Sequence, residues 1–194
     1  MSLPRLLLLT DRTQLPPGRD LLDTVSRCVA AGLEAVVVRE LDLPQSDREV
    51  LLAGVGETGV TVIAARTWST YAQGVHLSST QPASTAAPAA FHGRSCHTPD
   101  EVRAAVAEGA AYVTVSPVAA SRSKPGYGPT LRAEGVRRAA DAAGAVPVFA
   151  LGGVDANNAA ALRQAGAYGV AVMGEVMRAQ DPARVLTRIL DGLG

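Results

Sequence analysis

The chain is short of several things at once, and each shortage excludes something. Cysteine occurs twice, at Cys28 and Cys96, too few for a disulfide framework and wrongly spaced for a zinc ribbon. Net charge is missing, since 18 basic and 18 acidic side chains cancel. That argues against nucleic acid as the main partner, because a surface built for phosphodiesters carries a basic excess. Long apolar runs are missing too: Leu6 to Leu9 is far below the roughly 20 residues that span a bilayer, and no charged-then-apolar leader with a cleavage site surrounds it. The expectation is a cytoplasmic protein with no membrane attachment and no structural metal. Aromatic residues are only 4%, which leaves the interior to Val, Leu, Ile and Ala.

What is present is ample apolar material, 47% of the chain against 19% charged residues. This suffices for a large core and is too weakly charged for disorder, so residues 1–194 are expected to form a single domain. Short apolar runs recur at Leu6 to Leu9, Ala35 to Val38, Val60 to Ile63, Gly74 to Leu77, Ala111 to Val115, Val146 to Leu151 and Tyr168 to Val172. A weaker run lies around Ala90 to Ser95. Continuous rather than alternating apolarity marks each as a strand buried on both faces.

Helical patterns separate most of these runs. Leu21, Val25, Cys28 and Val29 share one face, with Gly32 able to close the end. Thr98, Pro99 and Glu101 combine a capping threonine, a proline at the first helical position and a glutamate three residues after the cap; that helix is expected to run to about Glu108, with Gly109 as its stop. Asp155 is expected to cap a helix burying Ala159, Leu162 and Ala165. Asp181 and Pro182 open a last one with Val185, Leu186, Ile189 and Leu193 inside.

Strand and helix thus alternate about eight times in 194 residues, which implies parallel strands joined by right-handed crossovers. A closed (β/α)₈ TIM barrel and an open doubly wound sheet both fit. No Gly-x-Gly-x-x-Gly follows the first run, where a dinucleotide-binding sheet would carry it. The expectation is a compact α/β barrel with short loops, small enough for a helix to be missing.

Two strand ends near the C-terminus are glycine-rich, Leu151-Gly152-Gly153 and Val172-Met173-Gly174. In a barrel these loops meet on the catalytic face, where bare backbone N–H groups and a short helix start can surround a phosphate. Paired glycines also serve plain tight turns; two such loops on the last two strands favour phosphate. The polar loop from Ser116 to Pro129 converges on the same face and holds Ser121, Ser123 and Lys124. Every other basic residue is arginine, so the one lysine points to an anion that wants a compact point charge. A small-molecule phosphate ligand is therefore the expected partner.

Taken together, Leu9-Thr10-Asp11-Arg12, Val38-Arg39-Glu40, Arg66, Gly74-Val75-His76-Leu77, Gly93-Arg94-Ser95-Cys96-His97, Ser116-Pro117-Val118, Ser121-x-Ser123-Lys124, Gly152-Gly153 and Ala171-Val172-Met173 resemble the thiamine-phosphate synthase and thiazole tautomerase family of compact barrels. The likeness spans nearly the whole chain. It implies that Gly152, Gly153 and the Met173-Gly174 backbone hold a thiazole phosphate, and that Ser121, Ser123, Lys124, Arg39 and Arg66 face a pyrophosphate or the substrate. The synthases of that family join a phosphorylated hydroxyethylthiazole to an aminopyrimidine pyrophosphate, expelling pyrophosphate with the help of Mg²⁺. Such barrels often associate, which leaves a homo-oligomer open.

The resemblance breaks where the metal is concerned. The synthase pattern Asn-Asp-Arg after the third strand is Ala64-Ala65-Arg66 here, and the aspartate expected beyond the fourth strand falls in Ser78-Ser79-Thr80-Gln81. The lysine usual after Arg-Glu is Leu41. Magnesium wants oxygen ligands, commonly carboxylates together with substrate phosphates; Asp11, Glu40 and Asp42 could substitute if they pointed inward. Tautomerase relatives need an acid/base pair and no metal, but the histidine they carry after the sixth strand is Pro117. His97, Glu40, Cys96 and His76 remain as candidates for proton transfer. The leading expectation is accordingly a metal-independent isomerisation of a thiazole phosphate, with no cofactor. The alternatives are the synthase reaction, with Mg²⁺, and a binder of thiazole or thiamine phosphate without turnover.

Overall fold

A computed structural model describes residues 3–123, 126 and 128–194. Eight parallel strands, β1 (Leu6–Leu9), β2 (Ala35–Val38), β3 (Thr61–Ala65), β4 (Gly74–Leu77), β5 (Phe91–Cys96), β6 (Tyr112–Val115), β7 (Val148–Leu151) and β8 (Gly169–Val172), pair in chain order and close on themselves. Closure is visible at Leu8, which pairs with Val36 on one side and Val172 on the other.

Among the described residues seven helices flank the ring: α1 (Leu21–Ala30), α2 (Gln45–Gly56), α3 (Pro99–Ala107), α4 (Arg132–Ala143), α5 (Ala159–Gln164), α6 (Gly174–Met177) and α7 (Pro182–Asp191). The missing helix falls between β3 and β4, and β4 reaches β5 through only a 3₁₀ turn at Ala83–Ala86. This is how eight strands fit so short a chain. Helix starts follow the capping logic. Thr98 accepts from the Glu101 N–H at 3.2 Å, while the Glu101 carboxylate reaches back to the His97 N–H at 2.6 Å. Asp181 caps α7 through the Arg184 N–H. Asp155 behaves differently from expectation: its carboxylate closes a local turn with the N–H groups of Asn157 and Asn158 at 2.8 and 3.1 Å, so α5 begins only at Ala159.

Period-two alternation assigns each strand residue to one of two cores. Leu7, Leu9, Val37, Ile63, Ala65, Tyr112, Phe149 and Ala171 fill the barrel. Leu6, Leu8, Val36, Val38, Val62, Ala64, Val170 and Val172 face the helices, packing against Val25, Leu52, Leu186 and Ile189. Few aromatics suffice because glycines make room for them. A Cβ on Gly93 would stand 2.1 Å from the Tyr112 ring, and one on Gly74 would stand 2.5 Å from the Phe91 ring. Tyr112 then meets Phe149 edge-on at 5.6 Å, plugging the barrel beneath its C-terminal mouth.

Candidate active site at the mouth of the barrel

Above that plug lies a cavity of about 1060 Å³ lined from the C-terminal ends of the strands, the face on which barrels of this kind build their sites. It gathers ten of the candidate residues: Arg39, Arg66, His76, His97, Ser121, Ser123, Gly152, Gly153, Met173 and Gly174. Lys124 lies outside the described residues.

The floor is a polar pair inside an apolar barrel. His76 hydrogen-bonds the Tyr112 hydroxyl through Nδ1 at 3.0 Å and the Ser95 hydroxyl through Nε2 at 2.9 Å. Burial, reinforced by the charges of Arg39, Arg66 and Arg94, drives the imidazole down to about 4, so His76 is neutral near pH 7. His97 stands higher on the wall. Its Nδ1 lies 2.8 Å from the Ser116 carbonyl oxygen; a carbonyl only accepts, so that nitrogen carries the proton.

Polar groups from three loops meet beside β8. Ser123 Oγ donates to Gln14 Oε1 at 3.0 Å and accepts from Arg178 Nη1 at 2.9 Å, and Arg178 also donates to Gln14. Gly174 adjoins this corner, because a Cβ there would come within 2.2 Å of Arg178 Nη1 and 2.5 Å of Ser123 Oγ. The other two glycines are required for a different reason than clearance for a phosphate. Gly152 and Gly153 have φ of 91° and 68°, and a Cβ on Gly153 would strike the Ala120 carbonyl at 2.5 Å. The loop after β6 is laced onto this turn by Val118 N–H to Leu151 O and Ala119 N–H to Gly152 O, at 3.0 and 2.9 Å. Small residues there let two backbones touch.

Arg39 and Arg66 line the cavity from the ends of β2 and β3. Arg39 Nη1 lies 2.7 Å from the Met173 sulfur. Arg66 adopts a φ of 67°, uncommon for a side chain of its size. It is held by its own N–H to the His76 carbonyl at 2.8 Å and by Gln81 Nε2 donating to its carbonyl at 3.0 Å.

Four candidates point elsewhere. Strand alternation places Ser95 and His97 inward and Cys96 outward, among Val102, Ala105 and Val115, where burial pushes its thiol up to about 12. The same parity sends Glu40 away from the cavity. Its carboxylate accepts from the Arg12 N–H at 3.1 Å and pairs with the Arg12 side chain at 3.1 Å. Asp42 is exposed and accepts from the same Arg12 nitrogen, Nη1, at 2.7 Å. Asp11 closes the 3₁₀ turn at Arg12–Gln14. Burial pushes its carboxyl up, but bonds from Thr13 and Gln14 together with the Arg39 charge outweigh that and lower it. Cys96, Glu40, Asp42 and Asp11 are therefore corrected from site groups to structural ones.

The magnesium expected by resemblance finds no matching donor set. Ala65, Ser78 and Ser79 line the cavity where the carboxylates would be, and no three His, Cys, Asp or Glu side chains among the described residues gather around a point. Arg178, Gln14, Ser95 and the buried Arg48 were not singled out by sequence. Arg178 had one available signal, a cation one helical turn beyond Gly174, the glycine that opens α6.

A model of the thiamine monophosphate synthase family matches residues 6–176. The chain belongs to the thiamine monophosphate synthase family. A thiamine-phosphate synthase of Salinispora arenicola is 36% identical over 211 aligned positions, covering 99% of this chain and 98% of the relative. One of Moorella thermoacetica is 33% identical over 192, covering 91% and 90%. Among solved structures, a thiamine phosphate pyrophosphorylase from Pyrococcus furiosus superposes with a TM-score of 0.84 at 22% identity, covering 97% of this chain and 95% of that one. That likeness speaks for the barrel. The sequence relatives carry the family.

Proposed function

We propose that this chain is a thiamine-phosphate synthase, coupling a thiazole phosphate to an aminopyrimidine pyrophosphate. The observation that carries this reading is the charge of the cavity wall: Arg39, Arg66, Arg122 and Arg178 line it, against the carboxylates of Asp155 and Glu175. Two anionic substrates need cations fixed in advance, and a departing pyrophosphate needs them most as the bond to carbon breaks. The volume of about 1060 Å³ is at the upper end for a single ligand and suits two held side by side. The thiazole phosphate is assigned to the corner of Gly174, Ser123 and Arg178, with Gly152 and Gly153 shaping the adjoining turn. The pyrophosphate is assigned to Arg39 and Arg66 together with Ser121 of the loop after β6, and Lys124 is assigned to the same anion on the resemblance alone. In the reaction the thiazole nitrogen's lone pair forms a bond to the pyrimidine methylene carbon. The carbon–oxygen bond gives its electron pair to pyrophosphate, and no proton moves.

The isomerase expectation finds less support. It needs an acid/base pair, yet Cys96 and Glu40 point away from the cavity, His76 is a poor base, and Pro117 stands where tautomerases carry histidine; of the four candidates this leaves His97 on the cavity wall. Incubating the protein with both substrates, with and without Mg²⁺, is expected to yield thiamine phosphate and pyrophosphate in equal amounts. Isomerisation of a thiazole carboxylate phosphate in place of coupling would restore the isomerase. Saturable binding with neither reaction would leave a binder.

A further inference from the structure

The wall that family synthases line with metal-binding carboxylates is built here from cations and amides. Ala65 puts a methyl group at the first position. Behind it Arg48, only 8% exposed, donates to the carbonyl oxygens of Val38 and Ala65, placing a fixed guanidinium against the backbone that would carry a metal ligand. In the second segment Gln81 Oε1 accepts from the Ser78 N–H at 3.0 Å while its Nε2 holds the Arg66 carbonyl. That amide is spent on bracing Arg66 in its left-handed turn. The two carboxylates that do line the cavity lie beyond β7 and β8 rather than β3 and β4, and Asp155 Oδ1 already accepts two backbone N–H groups. A divalent cation entering beside Arg39 and Arg66, which both line the cavity, would meet like charge without carboxylates from β3 and β4 to hold it.

Guanidinium groups supply what is missing, since each is permanently charged and grips phosphate oxygens with paired donors. We propose that Arg39 and Arg66 neutralise the pyrophosphate leaving group in place of Mg²⁺, so that the transfer catalysed by this chain is independent of divalent metal. This rests on the synthase reading and names the device by which it operates. As the carbon–oxygen bond breaks, the electron pair settles on a pyrophosphate oxygen facing the guanidinium N–H groups of Arg39 and Arg66.

Titration calorimetry of the whole protein with inorganic pyrophosphate, in excess EDTA and again in Mg²⁺, tests this apart from turnover. The dissociation constant is expected to agree within about twofold between the two conditions, and Arg39→Ala and Arg66→Ala are each expected to weaken it by about tenfold or more in both. Arg39→Lys, which keeps the charge and loses the paired donors, should recover part of that loss, and a thermal melt of each variant shows that it is folded. Pyrophosphate binding that requires Mg²⁺, or that Mg²⁺ tightens by more than about tenfold, overturns the proposal. Coupling turnover in EDTA supports it, and turnover confined to Mg²⁺ overturns it while leaving the synthase reading intact. Metal-independent pyrophosphate binding without turnover in either condition overturns the synthase reading, and with it the proposal.

Discussion

Arg178 Nη1 and Ser123 Oγ, 55 residues apart in sequence, lie 2.9 Å from each other and join the loop after β6 to helix α6. Gln14, from the turn after β1, accepts from both. Three strand ends are thus tied together by side chains that each have donors suited to a phosphate. Arg178→Ala is expected to raise the dissociation constant for thiazole phosphate by about tenfold or more, in line with loss of a charged hydrogen bond. Ser123→Ala should act in the same direction with a smaller effect. Calorimetry on the two variants checks this; unchanged affinity in Arg178→Ala would move the phosphate elsewhere.

The barrel was legible because its signals are local. Continuous apolar runs such as Ala35–Val38, glycine stops such as Gly109 and the Thr98-Pro99-Glu101 start each reflect the covalent chemistry of a few neighbouring residues. The parity of site residues was equally available: counting by twos from the inward Leu7, Val37 and Ile63 separates Arg39 from Glu40, and along β5 the same alternation separates Ser95 and His97 from Cys96. What was not legible is the partnership of Arg12 with Glu40 and Asp42, which depends on β1 lying beside β2, or of Arg48 with Ala65, which depends on how α2 lies over β2 and β3. Nor could composition show that Gly153 answers to the Ala120 backbone.

Gly93 is the sharpest steric demand in the barrel. Replacing it with alanine would drive a methyl into the Tyr112 ring, which is fully buried and bonded to His76. The ring must shift from its contacts with Phe149 and His76 to make way, so Gly93→Ala is expected to cost about 2 kcal/mol or more. For a chain of this size that lowers the melting temperature by roughly 5 °C or more, as a differential scanning measurement would reveal. A variant melting like the parent would mean that the plug can repack.

Cys96 tests the correction drawn from strand parity. With its thiol buried against α3 and pushed up to about 12, almost no thiolate forms at pH 8, and thiol reagents are expected to modify the native protein far more slowly than the unfolded one. Cys96→Ala should keep the turnover number within about twofold while costing about 1 kcal/mol of stability. Loss of turnover in a variant that melts normally would return Cys96 to the reacting set.

His76 predicts how acid acts on the fold. Its native imidazole titrates near 4, held down first by burial and then by Arg39, Arg66 and Arg94, whereas the unfolded chain's titrates near the ordinary 6.5. Between those values the unfolded state binds the extra proton, so stability falls as pH drops from about 6.5 toward 4 and is unaffected by this group above 6.5. His92 is shifted in the same direction, chiefly by burial, and adds to the slope. Melting temperatures measured from pH 7.5 down to 5 are expected to decline in the parent and to decline less steeply in His76→Gln, which keeps polar groups for Tyr112 and Ser95 but cannot take up a proton. Parallel curves for the two proteins would show that the His76 ring titrates normally and that the floor of the cavity is wetter than its hydrogen bonds imply.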